Sequence, residues 1–168
     1  MNLFTGESAD EFFGGGVPES ARGLLHQAAH AARGDVSALL WTAQAIAPRA
    51  LGIYYALYKH HAGRREFEQA ERAARRGLLE AARHAGLAED WRAVTPGRVP
   101  PGVDFRGSGP ARFWLFTLKA LAFIALRSGR PDDARELLAH IAALDDQAHI
   151  GDEVIATLLA SVTGRPGG

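Results

Sequence analysis

The chain has 168 residues, 47% of them hydrophobic, which suits one domain with a sizeable core and is too short for two comfortable ones. Its 19 Lys and Arg balance 19 Asp and Glu, so no overall field draws nucleic acid or an acidic membrane surface. With no cysteine, disulfide frameworks, thiolate metal centres and Cys nucleophiles are excluded together.

Residues 1–17 hold acids and glycines where a signal peptide would have a basic end and an apolar run. They read as a flexible tail whose Phe12 and Phe13 can dock on the body or on a partner. Pro18 then opens a helix to about 33, with Leu24, Leu25, Ala28, Ala29 and Ala32 on one face. Gly34 is expected to give it a left-handed C-cap, and Asp35 to cap the next helix. That helix carries Leu39, Leu40, Ala43 and Ile46 and ends at Pro48. A third, about 49–62, bears Leu51, Tyr54, Tyr55, Leu57 and Tyr58 and stops at Gly63. A fourth, about 65–85, places Phe67, Ala70, Ala74, Leu78, Ala81 and Ala85 along one stripe and closes at Gly86 behind Arg83 and His84.

Residues 87–109 break the pattern with prolines and glycines and read as a long loop, with one turn near Trp91. Trp91, Val94, Val99 and Phe105 give this loop apolar side chains to bury. Pro110 restarts helical order to about 128, apolar on nearly every side, so neighbours must cover it from several directions. This most apolar segment is interrupted by Thr117 and Lys119 and is too short to span a bilayer, so a cytoplasmic protein is expected. Gly129 ends the helix, and Pro131, Asp132 and Asp133 open a sixth with Ala134, Leu137, Leu138, Ile141 and Leu144 at helical spacing. A last helix, about 152–163, precedes a tail at 165–168. No run alternates like a strand, so the expected fold is all-α, one domain over 18–164.

The helices pair across Gly34, Gly63 and Gly129, a pattern of solenoids in which each hairpin buries its apolar face on the next. The segment KALAFIALRSGRPDDARELLAHIAALDD goes further. Leu121 and Ala122 form a large-then-small pair, Gly129 marks the turn, and Ala134 is the small residue of the second helix. This segment, over about 112–146, resembles the tetratricopeptide repeat; Tyr55-Ala56 before Gly63 echoes it over 50–82. The resemblance implies a right-handed stack of three helix–turn–helix hairpins plus a C-terminal capping helix. It also implies a concave groove lined by the first helix of each hairpin. Carried onto this chain, the groove positions are Phe116, Lys119, Phe123, Leu126 and Arg127 on the third pair and Ile53, Leu57, His60 and His61 on the second. Rings flanked by cations suit a protein or peptide segment bearing an acid. Phe116 and Phe123 fit either groove or core, as do Tyr54 and Tyr58. The stretch GLAEDWRAVTP, with FWLFTLKALAFIALRSGR, is also similar to short tetratricopeptide-like proteins of nitrogen-fixation gene regions of proteobacteria.

Catalytic and metal chemistry find little footing. His26 and His30 lie four apart on one helix face but make only two ligands. His60 and His61 are adjacent, so they are expected to diverge and not to chelate together. The acids read as helix ends or as favourable pairs such as Glu68–Arg72 and Glu71–Arg75. Gly14–Gly16 lacks the Lys-Ser/Thr of a phosphate loop. The expectation is a non-catalytic adaptor or assembly factor without metal or cofactor. A small-molecule carrier with a pocket between the 87–109 loop and the fifth helix stays open, as does a self-associating subunit. A pocket closed by Trp91, Trp114 and tyrosines would favour the carrier; an open, polar-rimmed aromatic groove would favour the adaptor.

Overall fold

In the computed structural model, which describes residues 16–32, 34–107 and 109–145, the long elements are all helices. They are α1 (Glu19–His30), α2 (Val36–Ile46), α3 (Leu51–Gly63), α4 (Phe67–Ala85), α5 (Pro110–Arg127) and α6 (Pro131–Leu144). Two single 3-10 turns, Trp91–Ala93 and Pro96–Arg98, lie between α4 and α5, and no strand occurs among the described residues. The expected helix at 152–163 and most of the 1–17 tail lie outside the described residues. Val17, grouped with that tail on composition, is buried in the core.

Local chemistry sets most helix ends. Pro110 and Pro131 occupy the first turns of α5 and α6, where a missing N–H has no helical partner to lose. Gly86 (φ 71°) and Gly129 (φ 77°) take left-handed conformations behind α4 and α5. The following N–H groups return to the helices, Leu87 to the Ala82 carbonyl at 2.8 Å and Arg130 to Ala125 at 2.8 Å. The other two glycines act differently. α1 ends on extended Ala31, Gly34 is not left-handed, and the Asp35 side chain caps nothing. Between α3 and α4, Gly63 stays helical and Arg65 takes the positive φ of 62°. That turn closes when the Glu66 N–H reaches the His61 carbonyl at 2.8 Å.

Each helix packs on its successor, and α3 also touches α5, so α4 is wedged against both. The wedge is thin because its inner face is Ala70, Ala73, Ala74, Gly77, Ala81 and Ala82, all buried. At Gly77 the approach is closest: a Cβ there would lie 2.7 Å from Tyr54 Cβ on α3 and 3.2 Å from Phe113 Cε1 on α5. α5 buries Phe113, Trp114, Leu118, Leu121 and Ile124 almost completely, as its all-round apolarity requires. Tyr54 and Tyr58 are both core residues; Tyr58 meets buried Thr117 of α5 at 3.4 Å, and burial pushes its phenol far up. A forked ion pair ties the α5–α6 turn to α4: Arg130 donates to Glu71 at 2.8 and 3.3 Å, and Arg75 adds a contact at 2.9 Å. Burial raises the Glu71 carboxyl, but the Arg130 and Arg75 bonds outweigh that and hold it below its usual range.

Candidate functional site

The 87–109 segment is held down before it reaches α5. Trp91 is buried, its ring edge-on to His140 of α6 at 5.1 Å, and His140 Nε2 bonds the Val94 carbonyl at 2.5 Å. Outside this contact Arg92 stacks over Trp91 at 4.5 Å and donates to Glu136 of α6 at 2.7 Å. Further on, Asp104 accepts the Arg106 N–H at 2.9 Å, an Asx turn that reverses the chain. Phe105 thereby tilts against Trp114 with centroids 5.6 Å apart, and Gly109 (φ 101°) admits the chain to α5.

The consequence is a cavity of about 420 Å³ between loop and helix, lined by Phe105, Arg106, Arg112, Leu115, Phe116, Lys119 and Asp145. Arg112, Leu115, Phe116 and Lys119 share it because residues three, four and seven apart fall on one helix face. On one wall Lys119 Nζ reaches Asp145 at 3.3 Å and Arg106 approaches the same carboxylate at 3.6 Å. The cavity thus combines two phenyl rings and a Leu with three cationic side chains and one carboxylate.

An aromatic row continues from it onto α3, half-buried at Phe116 and Tyr55 and buried at Tyr58. Phe116 meets Tyr55 edge-on at 5.6 Å, Tyr55 meets Tyr58 at 5.6 Å, and Lys59 sits over Tyr55 at 5.7 Å. Further along α5, Arg127 lies over half-buried Phe123 at 5.9 Å. Of the groove positions carried from the repeat resemblance, Phe116, Phe123, Arg127 and His60 thus keep surface. The other five need correction. Leu57 and Ile53 are wholly buried, Leu126 packs with Ala125 and Ala134, Lys119 is buried against Asp145, and His61 is buried beside Trp41. The transferred register put these side chains outward, but neighbouring elements cover them: α4 and α5 pack on α3, Trp41 of α2 lies on His61, Ala134 of α6 meets Leu126, and residue 145 folds back onto Lys119. Sequence reasoning missed Phe105, Arg106, Arg112, Leu115, Tyr55 and Lys59. Arg112 to Lys119 was readable as a helical face, and a pocket between loop and helix was among the alternatives; which loop side chains line it was not readable.

The histidines also behave unexpectedly. His60 and His61 rings stand 5.0 Å apart, and their nitrogens cluster with the Glu66 carboxylate within 4.8 Å, so the expected divergence does not hold. The tight turn at Arg64–Glu66 returns the carboxylate to the imidazoles. The protons nonetheless argue for a structural tie. Trp41 Nε1–H donates to His61 Nε2 at 3.1 Å, which leaves the ring proton on Nδ1 to donate to Glu66 at 3.2 Å. A metal on Nδ1 would drive that proton to Nε2, facing another N–H donor, the reverse of what an outer shell supplies. The His61 bond holds the Glu66 carboxyl below its usual range, and burial, helped by His61 and Arg64, holds His60 low. Ser37 meets His60 Nε2 at 2.9 Å, so the cluster joins α2, α3 and the start of α4. His26 and His30 are exposed on α1.

No family model and no solved structure matches the chain. It is 28% identical over 160 residues to an uncharacterized 19.8 kDa protein in the nifW 5' region of Azotobacter chroococcum mcd 1, a match covering 95% of this chain and 89% of that one. Among the described residues no helix is long and apolar enough to cross a membrane.

Proposed function

We propose that the protein is a non-catalytic binding factor, a short stack of tetratricopeptide-like hairpins that holds an acidic segment of a partner protein in an accessory role in nitrogen fixation. The gene neighbourhood of its Azotobacter relative supports the setting. The observation that carries the binding role is the cavity at the loop–α5 junction. Aromatic walls at Phe105 and Phe116 suit an apolar or aromatic side chain, and Arg106 and Arg112 on the rim suit a neighbouring carboxylate. Trp91, Trp114 and the tyrosines do not wall it, and Arg106 at its edge is 45% exposed, which favours an open protein-binding site over an enclosed carrier pocket.

The test is affinity capture from cells fixing nitrogen, comparing the native chain with Arg112→Glu/Arg127→Glu, followed by rebinding of the purified partner. Loss of that partner from a variant with unchanged circular dichroism supports the reading. Equal capture by both overturns it. Charge reversal at Lys119 is a poor probe, since it would press a second carboxylate on buried Asp145.

A further inference from the structure

We infer that His60 and His61 form a pH-operated latch: as neutral imidazoles they fasten the α1–α2 hairpin to the rest of the stack, and acid, by adding protons to the pair, releases it. The latch does not depend on the binding role proposed above. The packing makes this hairpin separable, because α1 packs on α2 and α2 reaches the remaining helices chiefly through α3. Side-chain hydrogen bonds from α2 to α3 join Ser37 to His60 Nε2 at 2.9 Å, Trp41 to His61 Nε2 at 3.1 Å and Gln44 to Tyr54 at 3.2 Å. The first two end on imidazoles.

That bonding is written for neutral rings. The Trp41 N–H can only donate, so His61 Nε2 must keep its lone pair. A proton there would set N–H against N–H in a residue only 3% exposed. The His60 ring stands 5.0 Å away, so charge on either imidazole opposes charge on the other. Around the pair, the α3–α4 turn supplies Arg64 and Glu66, and α4 supplies Arg76, which lies over the Trp41 ring at 5.7 Å. α2 faces it with Ser37 and Trp41 and carries no charged residue between Val36 and Ile46. Glu66 already meets Arg64 at 3.2 Å, so an added proton leaves the cluster with excess positive charge. Burial, with His61 and Arg64 and against the pull of Glu66, holds His60 below its ordinary 6.5. The open hairpin therefore takes the proton first: closure is at full strength above that pH and weakens as pH falls from there toward the folded value.

An imidazole that titrates normally when open and resists the proton when closed raises opening by up to about tenfold between about pH 7.5 and about pH 5.5. Helices of 12 and 11 residues are marginal alone, so opening is read as lost amide protection in α1 and α2. Native-state hydrogen exchange, corrected for the intrinsic effect of pH on rate, tests this. Over that range protection at Leu25, Ala28, Leu40 and Ala43 should fall by up to about tenfold relative to Ala74, Leu78, Leu118 and Leu121 of α4 and α5. His60→Gln keeps a hydrogen-bonding group toward Ser37 but cannot titrate, and should shrink that difference. His26→Gln/His30→Gln, at exposed positions of α1, should leave it unchanged. An equal fall in all helices, no fall, a difference undiminished in His60→Gln, or one that disappears in His26→Gln/His30→Gln overturns the inference. Imidazole NMR of the native chain gives a check free of substitution: His60 should titrate below 6.5, and a midpoint at or above it overturns the latch equally.

Discussion

Gly77→Ala should destabilise the protein although it improves a helix. In an exposed helix interior the exchange of Gly for Ala gains about 0.8–1 kcal/mol. At Gly77 the new methyl would lie 2.7 Å from Tyr54 Cβ and 3.2 Å from Phe113 Cε1. Relaxed carbon contacts are ~3.5–4.0 Å, so α3 and α4 must part by the better part of an ångström. Tyr54 Cβ cannot swing aside, because it is fixed to the α3 backbone and its phenol is held by Gln44 at 3.2 Å and by the Pro48 carbonyl. Overpacking a core by one methyl costs about 1–3 kcal/mol, so the net expectation is a loss of up to about 2 kcal/mol. Gly23→Ala is the paired control: it lies inside α1 with nothing within 4 Å of the added Cβ, and should gain about 0.5–1 kcal/mol. Urea denaturation of both variants reads the two signs as midpoint shifts with unchanged slope. A Gly77→Ala that stabilises as much as Gly23→Ala would refute the claim that α3, α4 and α5 meet at that glycine.

Glu71→Gln should cost about 1 kcal/mol at neutral pH, a modest value because Arg130 is partly exposed. Since the folded carboxyl lies below its ordinary 4.5, its contribution is present above that pH and lost as pH falls through the folded value; acid titration of stability should be shallower in the variant. His60 lies below its ordinary 6.5, so the unfolded chain takes the proton first and stability falls as pH drops below that value. His60→Gln should shrink the midpoint difference between about pH 7.5 and pH 5.5, and an unchanged difference would count against burial of the ring. Trp91→Ala should cost about 3–5 kcal/mol and open residues 95–107 to proteolysis before the helices are cut, because His140 and Arg92 lose the ring they hold.

The helices were legible because their determinants are local. Pro110, Pro131, Gly86 and Gly129 each dictate an end through their own backbone chemistry, and the apolar period of the sixth helix needs no neighbour to be read. Gly34 misled because glycine permits a left-handed turn without requiring one, whereas the third helix does end at Gly63, with Arg65 taking the left-handed conformation beyond it. The site was legible in its location, a pocket between the 87–109 loop and the fifth helix, and in the residues it takes from one helix, at Phe116 and its neighbours. Phe105 and Arg106 join it through a loop whose course depends on Trp91 reaching α6. Lys119 was misplaced because its partner Asp145 lies 26 residues away, a separation that no periodicity encodes. The histidine cluster needed the turn geometry that returns Glu66 to His61.

The cavity's role is tested most directly by titrating the isotope-labelled chain with a synthetic acidic peptide containing Phe. Amide shifts should centre on residues 105–119 and disappear when Arg112→Glu is added to a chain that remains folded. Shifts that survive Arg112→Glu, or a peptide that moves no signal there, would contradict the account.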